Sequence, residues 1–301
     1  MTMEFAATRF VRKPWGTVDL RPWSTLRHNG DTIGELWFQR TDQKAPESAL
    51  LLKLLFTTQP LSIQVHPDDS FARSIGIAHG KAEAWYVLAA KPGAKVALGL
   101  KRQLTSRELR TSIDEGSIAS LVQWHDVVKD DVIYVPAGTI HALGAGLVVA
   151  EIQQPSDTTF RLFDFGRQRE LHVDQAVAAA RAKPSEPQSP QRRLSDARTL
   201  LVASPDFVFE RIELAPGADW ELTAERETWM IVSDGRARIG GKGASVGDVV
   251  FLDADSTCLE VGSAGFRGLL AYPGPQPDPG LLRLLEAPIT RPPPSATEAR
   301  P

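Results

Sequence analysis

Short apolar runs recur along the chain between clusters of Gly, Pro and Asp: "TIGELWFQR", "ALLLKLLF", "EAWYVLAA", "DVIYVPAG", "LVVAEIQQ", "FVFERIEL", "TWMIVS", "DVVFLD" and "GFRGLLAY". Runs of this length, rich in Val, Ile, Leu, Phe and Trp and bounded by turn residues, predict the strands of an all-β sandwich or barrel. In "PLSIQVHPDD" (60–69) the alternation is explicit, with Leu61, Ile63 and Val65 interleaved with Ser62, Gln64 and His66. A strand sends its two sets of side chains to opposite faces. Three aliphatic residues are therefore expected on a core, and three polar ones must look into something else. Pro67-Asp68-Asp69 reads as the turn that ends the strand.

Helical periodicity is sparse. Around "TSRELRTSIDEGSIASLVQWH" the residues Leu104, Leu109, Ile113, Ile118, Leu121 and Val122 roughly follow helical spacing, and Thr105 with Glu108 makes a capping box. A small helical segment is expected there, over about 103–125. "LHVDQAVAAARA" (171–182) is a second candidate, and "DPGLLRLLEA" a third, with Asp278 as cap and Pro279 in the first turn. "KPSEPQSPQRR" (183–193) is Pro/Ser-rich and charged, as linkers are. The tail "RPPPSATEARP" has nothing to pack and is expected to be disordered.

A weak internal repeat runs through the pattern. "AEAWYVLAAKPG" (82–93) resembles "RETWMIVSDG" (226–235), aligning Glu83 with Glu227 and Trp85 with Trp229. Downstream, "DDVIYVPAGTIH" (130–141) resembles "GDVVFLDADSTC" (247–258), where Pro136, Gly138 and His141 become Asp253, Asp255 and Cys258. With 301 residues the chain has room for two domains. The expected organisation is a domain over 1–182, the linker 183–193, a degenerate, metal-free β-domain over 194–275, and a short helix and tail over 276–301.

Composition narrows the function classes. The chain is 42% hydrophobic and 24% charged, as ordinary globular proteins are. A net charge of −3 lacks the basic excess of an electrostatic nucleic-acid binder. Cys258 is the only cysteine, so no internal disulfide is possible, which fits a reducing compartment. "MTMEFAATRFVRKPWG" lacks the apolar stretch of a secretory leader, and no apolar run approaches a membrane span. The expectation is a cytoplasmic protein, a monomer or weak homodimer, that engages neither membrane nor nucleic acid.

The candidate chemistry begins at "VPAGTIHAL" (135–143), which resembles the cupin signature P-x-G-x-x-H. Pro136 and Gly138 shape a tight turn into a strand whose first inward side chain is His141. Cupins carry H-x-H upstream and a Glu on the following strand; this chain has Gln64-x-His66 and then Glu83. These four side chains can converge inside a small barrel. Two imidazoles, a carboxylate and an amide oxygen suit Zn²⁺ and would also accept Fe, Mn, Co or Ni. Lys53 interrupts an apolar strand, where burial is costly unless an anion meets the ammonium; an edge strand with the lysine reaching water is the alternative. Ser62 shares the face of Gln64 and His66. His28, His79, His125 and His172 fall outside the pattern.

Taken together, "PLSIQVHPDD", "GKAEAWYVL", "VPAGTIHALGAG" and "EIQQPSDTTFRLFDFGR" resemble the type I mannose-6-phosphate isomerases in their shorter bacterial form. The likeness runs from "KPWG" to about residue 175 and weakens beyond. The resemblance implies a mainly β protein of two cupin-type barrels with a few helices. It implies one Zn²⁺ per chain and the interconversion of mannose 6-phosphate and fructose 6-phosphate through a cis-enediolate. It places the zinc ligands on Gln64, His66, Glu83 and His141, an active-site arginine on Arg161, and further active-site residues on Lys81 and Glu151. Lys53 and Ser62 match positions near the substrate phosphate. Lys81 and Glu151 both stand as the base, and Lys81 is expected to have a lowered pKa beside Zn²⁺ and Arg161. Three other readings share the ligand set: an isomerase or epimerase of another sugar or phosphosugar, a cupin that binds a sugar without turnover, and a cupin oxygenase. Two departures stand out. Asp130 replaces the glycine usual before the aspartate of this turn, which puts the turn geometry in question, and the long helical insertion of larger relatives is missing.

Overall fold

The computed structural model describes residues 2–25, 29–42 and 44–285. Among these, strands dominate and form three antiparallel sheets of six, five and ten strands. The six-stranded sheet runs, in spatial order, Ala7–Thr17, Ile33–Gln39, Leu51–Thr57, Leu147–Gln153, Glu83–Ala90 and Val132–Val135. The five-stranded sheet runs Phe160–Phe163, Ile63–Val65, His141–Leu143, Lys95–Leu100 and Val122–Asp126. The expectation of a mainly β, cupin-like architecture with few helices holds.

Alternation explains the layering. In Leu51–Thr57, Leu52, Leu54 and Phe56 enter one core while Leu55 enters another on the opposite face. The second core, with Trp15, Trp85, Val87, Leu98 and Leu143, fills the space between the six- and five-stranded sheets. Behind the five-stranded sheet, Ile63, Val65, Ala142 and Leu162 pack on Leu109, Ile113, Ile118 and Ala176 from the helices. Behind the six-stranded sheet, Leu36, Leu54, Ala84 and Ile152 meet Phe207, Phe209, Trp229 and Phe251 of the ten-stranded sheet. That last sheet curls around a core of its own, because the long strand Asp255–Pro273 pairs first with Asp219–Ala224 and then with Phe207–Leu214. Each sheet thus has both faces buried where they matter. The chain also begins in the later sheet: Thr2–Phe5 pairs with Val249–Asp253.

The helices are shorter than their patterns. The capping box of Thr105 and Glu108 forms and opens Ser106–Asp114, but Gly116, with φ of 74°, breaks the run before Ile118–Leu121. Val122–Asp126 then continues as a strand. Val173–Ala179 is the helix expected over 171–182. The helix expected after Asp278 does not form in the described residues. Asp278 closes a turn by accepting from the Gly280 N–H at 2.8 Å, and Leu282–Leu284 is a strand on Asp219–Ala224. Leu281 is needed in the second core, and a sheet partner outweighs local helical preference. Residues 286–301 and His28 lie outside the described residues. Within 183–193, Gln188 lies on the edge strand Val132–Val135, where its amide accepts from the Tyr134 N–H and donates to its carbonyl at 2.7 and 3.2 Å, while Arg192–Arg193 pairs with Arg198–Ala203. A side-chain amide there occupies the hydrogen-bonding groups that an open sheet edge would present to another chain.

The internal repeat is visible in the fold, one residue out of the register read from sequence. Val87 N–H donates to Asp131 O and Val232 N–H to Asp248 O, each at 2.9 Å. The Asp131 and Asp248 carboxylates each accept from the backbone N–H three residues earlier, at 2.8 Å. Both strands bulge at the next position, past Val87 and past Val232. Counting back along each strand, Glu83 matches Thr228 and Trp85 matches Met230. With a side-chain period of two, that single step turns Glu227 and Trp229 to the opposite face. The Glu227 carboxylate accordingly accepts from the Ala49 and Leu50 N–H groups at 2.7 and 3.0 Å and from the Trp229 indole at 2.9 Å, at the junction of the sheets. Asp130, the departure from glycine, takes the glycine conformation: its φ is 74°, against 91° for Gly247. Aspartate tolerates this region better than most residues. Its carboxylate accepts from the Tyr86 hydroxyl at 2.7 Å and lies 3.5 Å from Arg267 of the ten-stranded sheet.

Replacing Glu227 with Ala would leave the Ala49, Leu50 and Trp229 N–H groups without their acceptor. Stability is expected to fall by about 3 kcal/mol in urea unfolding, with Glu227→Gln falling less; an unchanged midpoint would remove this carboxylate from the junction.

Candidate active site

The site lies between the facing six- and five-stranded sheets. Glu83 opens its strand in the six-stranded sheet, while His66 ends the segment after Ile63–Val65 and His141 begins the neighbouring strand of the five-stranded sheet. Register fixes their meeting, since Gln64 is paired with His141 on one side and with Arg161 on the other. The Pro136–Gly138 turn locks the two histidine segments together, as the Gly138 N–H donates to His66 O at 2.8 Å. Gly138 has φ of 83°, and a Cβ there would press on Arg181.

His66, Glu83 and His141 are fully buried, and their candidate ligand atoms all lie within 4.8 Å of one another. Each imidazole Nδ1 is 2.8 Å from a backbone carbonyl, Thr158 O for His66 and Thr139 O for His141, and donates its proton there. Each Nε2 is then a bare lone pair, and each stands 3.3 Å from an oxygen of Glu83. Neither Glu83 oxygen, nor His66 Nε2, has a hydrogen-bond partner. Burial, with the Lys81 ammonium nearby, pushes His66 down to about 3 and lowers His141 as well, so both rings are neutral. Burial works to raise the Glu83 carboxyl, but Lys81, 3.2 Å away, together with His66 and His141 outweighs it and holds Glu83 well below the usual carboxylate range. Two lone pairs and a carboxylate facing one another in a dry interior repel unless a cation lies among them. The group therefore has the donor set and the unmet polarity of a metal site.

Gln64 touches the cluster through Nε2, 3.3 Å from His141 Nε2, while its Oε1 accepts from the Ser62 hydroxyl at 3.1 Å. Amide oxygen and nitrogen have nearly the same shape. Turned half a rotation, the amide would offer Oε1 to an ion and keep Ser62 as a partner. Leu61 corrects the strand reading. It packs with Trp15, Leu55 and Trp85 and lines the cavity beside Ser62, whereas Ile63 and Val65 face the helices. Regular strand geometry begins only at Ile63, so the alternation does not extend back to Leu61.

A polar cavity of about 240 Å³ opens beside the cluster, lined by Ser62, Gln64, Lys81, Glu151, Arg161 and Lys53 among others. Lys53 is buried rather than reaching water. Its ammonium bonds Asp157 at 2.8 Å, stands 3.8 Å from Glu151 and lies over the Trp37 ring at 4.2 Å. Glu151 accepts from the Trp85 indole at 3.0 Å, and burial together with the Glu83 charge pushes its carboxyl up to about 7. Lys81 differs from the sequence reading. Burial works to lower it, but Glu83, Glu151 and Asp157 surround the ammonium and raise its pKa above the ordinary lysine value. Arg161 has a buried Nε without a hydrogen-bond partner, and burial and the nearby Arg169 lower its pKa. His172 brackets its backbone, accepting from the Arg161 N–H through Nδ1 and donating its own N–H to Arg161 O. Asp157, Lys13, Glu35 and Arg169 also line the cavity and were not singled out from sequence. Asp157 and Arg169 flank Arg161 within and just beyond the "QQPSDTTFRLFDFGR" motif, which was the available signal.

An antiparallel cupin-like barrel with a buried His-Glu-His group beside a polar cavity defines a class, the cupin-like proteins with a metal-competent site. No protein-family model matches the chain. The chain is 33% identical over 229 residues to a mannose-6-phosphate isomerase of Streptococcus mutans, covering 71% of each. Against mannose-6-phosphate isomerase ManA of Bacillus subtilis it is 36% identical over 161 residues, about half the length of each chain. In fold it is similar to the crystal structure of a Bacillus subtilis mannose 6-phosphate isomerase, with a TM-score of 0.78 and 24% identity over 90% of this chain and all of that one. Phosphomannose isomerase from Salmonella typhimurium superposes with a TM-score of 0.72 at 14% identity. The chain belongs to the mannose-6-phosphate isomerase family of enzymes. No helix among the described residues is long and apolar enough to cross a membrane.

Chelator-stripped protein titrated with a divalent transition ion is expected to bind one equivalent per chain. His141→Ala should weaken binding by roughly 100-fold or more, at least the largest cost of losing a ligand's supporting contact. Undiminished affinity in that variant would remove His141 from the ligand set.

Proposed function

We propose that the chain is a zinc-dependent aldose–ketose isomerase that interconverts mannose 6-phosphate and fructose 6-phosphate. The observation that carries this reading is the buried His66–Glu83–His141 group, with His66 Nε2 and both Glu83 oxygens lacking a hydrogen-bond partner, beside a cavity lined by Glu151, Lys81 and Arg161. Membership of the family, whose curated relatives bear that activity in their names, supports the substrate. Gln64, His66, Glu83 and His141 would hold the ion, and Zn²⁺ suits such a set. Bound there, it supplies Lewis acidity toward the sugar oxygens.

The reaction moves a proton between C2 and C1 and passes through a cis-enediolate. Glu151 is the better base of the two candidates. With its carboxyl near 7, protonated and ionised forms coexist at neutral pH, so it can take a proton from one carbon and return it to the next. Lys81 is held protonated by its carboxylate neighbours and serves as a fixed cation rather than a base. Arg161 is placed to offset charge that develops on the enediolate, with a guanidinium nitrogen not yet committed to a protein acceptor. Lys53 and Ser62 complete the substrate wall. Lys53 holds Glu151 and Asp157 in place, and Ser62 orients the Gln64 amide.

A coupled assay of mannose 6-phosphate to fructose 6-phosphate tests the reading, with activity lost to chelator and restored by Zn²⁺. The base form of Glu151 is present above its raised pKa and disappears as pH falls through it, so kcat/KM is expected to drop by about tenfold per pH unit below about 7. Glu151→Gln should cost about 100-fold or more in kcat and abolish that acid limb. A Glu151→Gln enzyme with near-normal turnover would return the role to Lys81.

A further inference from the structure

The reading above leaves one wall of the cavity without a role, the loop that follows Arg161. Phe165 and Gly166 adopt φ of 52° and 82°, two left-handed residues in succession. For phenylalanine this conformation is strained. It reverses the chain so that Arg167 and Arg169 fold back on Asp164. The Asp164 carboxylate is buried and takes both guanidiniums. Arg167 donates to it through Nε and Nη2 at 3.0 and 2.9 Å, and Arg169 through Nε and Nη2 at 2.7 and 2.5 Å. Arg167 also donates to Pro60 O at 2.9 Å, at the entrance to the segment that carries Ser62, Gln64 and His66. Arg169 lines the cavity with Ser62, Gln64 and Arg161.

Charge separates this wall from the others. Lys13 is matched by Glu35 at 3.1 Å, Lys53 by Asp157 and Glu151, and Lys81 by Glu83. On the loop wall Asp164 and Glu170 stand among Arg161, Arg167 and Arg169, two carboxylates to three guanidiniums, and burial together with the neighbouring Arg169 and Arg167 lowers Arg161 despite them. Grouping like charges around too few carboxylates is unfavourable until an anion joins them. An arginine whose Nε edge is fixed on a carboxylate still presents Nη1 to a second acceptor, a geometry suited to phosphate.

We propose that Asp164 is a positioning residue that fixes Arg169 at the cavity wall, where Arg169 receives the phosphate of the substrate. The proposal rests on the isomerase reading for the identity of that substrate. It moves the main phosphate contact from Lys53, whose charge two carboxylates already take up, to the wall with positive charge to spare.

The test uses the full-length, zinc-loaded enzyme, with KM and kcat for mannose 6-phosphate and the affinity for inorganic phosphate by calorimetry. Arg169→Ala is expected to raise KM and the phosphate Kd together by about tenfold, the loss of one charge-assisted contact, with kcat changed far less. Arg169→Lys should recover part of the loss, because a point charge replaces the fork. Asp164→Asn should move KM and phosphate Kd in the same direction, by less, with Arg169 intact. If Arg169→Ala leaves both KM and phosphate Kd unchanged, the proposal is overturned. It is equally overturned if Asp164→Asn lowers only the melting temperature and leaves both binding constants alone. Should the wild-type protein bind phosphate without isomerising mannose 6-phosphate, loss of that binding in Arg169→Ala would still support the site while the isomerase reading failed.

Discussion

The structure turns on one constraint: an ionised carboxylate and two neutral imidazoles are held together in a dry interior with their lone pairs converging. Each imidazole has committed its only proton to a backbone carbonyl, so neither can donate to Glu83. Lys81 reaches a single oxygen of the carboxylate. Buried charge that is only partly matched is expensive, and proteins keep it where a partner is supplied. The remainder of the fold maintains the arrangement. Two sheets bring the three residues face to face, and the turn at Gly138 ties the histidine segments together. Helices behind one sheet and the ten-stranded sheet behind the other keep both backs covered, so the cluster cannot relax toward water.

Around that centre the cavity is graded in charge. Close to the cluster, lysines and carboxylates are matched, and the balance sets Lys81 as a cation and Glu151 near neutrality. These opposite outcomes arise from the same set of charges. Burial alone would favour the neutral form of both groups. For Lys81 three surrounding carboxylates reverse that preference, while for Glu151 the nearby Glu83 charge reinforces it. A neighbouring acid and base with pKa values driven apart is how a site assigns roles at neutral pH. Toward the loop of Arg167 and Arg169 the balance shifts to excess positive charge, so the two ends of the cavity differ in electrostatic character.

Much of this was legible in the sequence, and the parts that were not share a cause. The alternation in 61–66 located the polar face that meets Glu83, and the Pro-Gly turn located His141, because strand period and turn chemistry are local. The assignment failed at Leu61, which precedes the first residue of the regular strand. It failed at 281–284, where the core needs Leu281 and a neighbouring strand recruits Leu282–Leu284. Asp164, Asp157 and Arg169 drew no reading from the sequence, since nothing local says that a left-handed Phe165 will turn two arginines onto one buried carboxylate. The direction of the Lys81 shift among the protein's own charges was hidden for a related reason. Its direction depends on how many carboxylates surround it, and Asp157 comes from a loop far along the chain.

The second half of the chain repeats part of this arrangement one residue out of step. Around its strand Thr228–Ile239 it keeps the bulge, the aspartate Asp248 in the turn before the neighbouring strand, and a glutamate-tryptophan pair in nearly the place of Glu83 and Trp85. The pair sits one position earlier along the strand, and a one-residue step changes faces. Glu227 therefore points out of its own barrel and binds the Ala49 and Leu50 backbone of the first half. Thr257 and Leu259 face inward where the first half has its histidine strand, and Cys258 between them is partly exposed. The six-stranded sheet that carries Glu83, Glu151 and Lys53 has two apolar-rich faces, and a cupin-like barrel can cover only one of them. The second barrel covers the other, with Trp229 and Phe251 packed there and Glu227 pinning the edge. Register thus turns the second glutamate–tryptophan pair away from its own sheet core and onto the first half, where it supports the back of the six-stranded sheet.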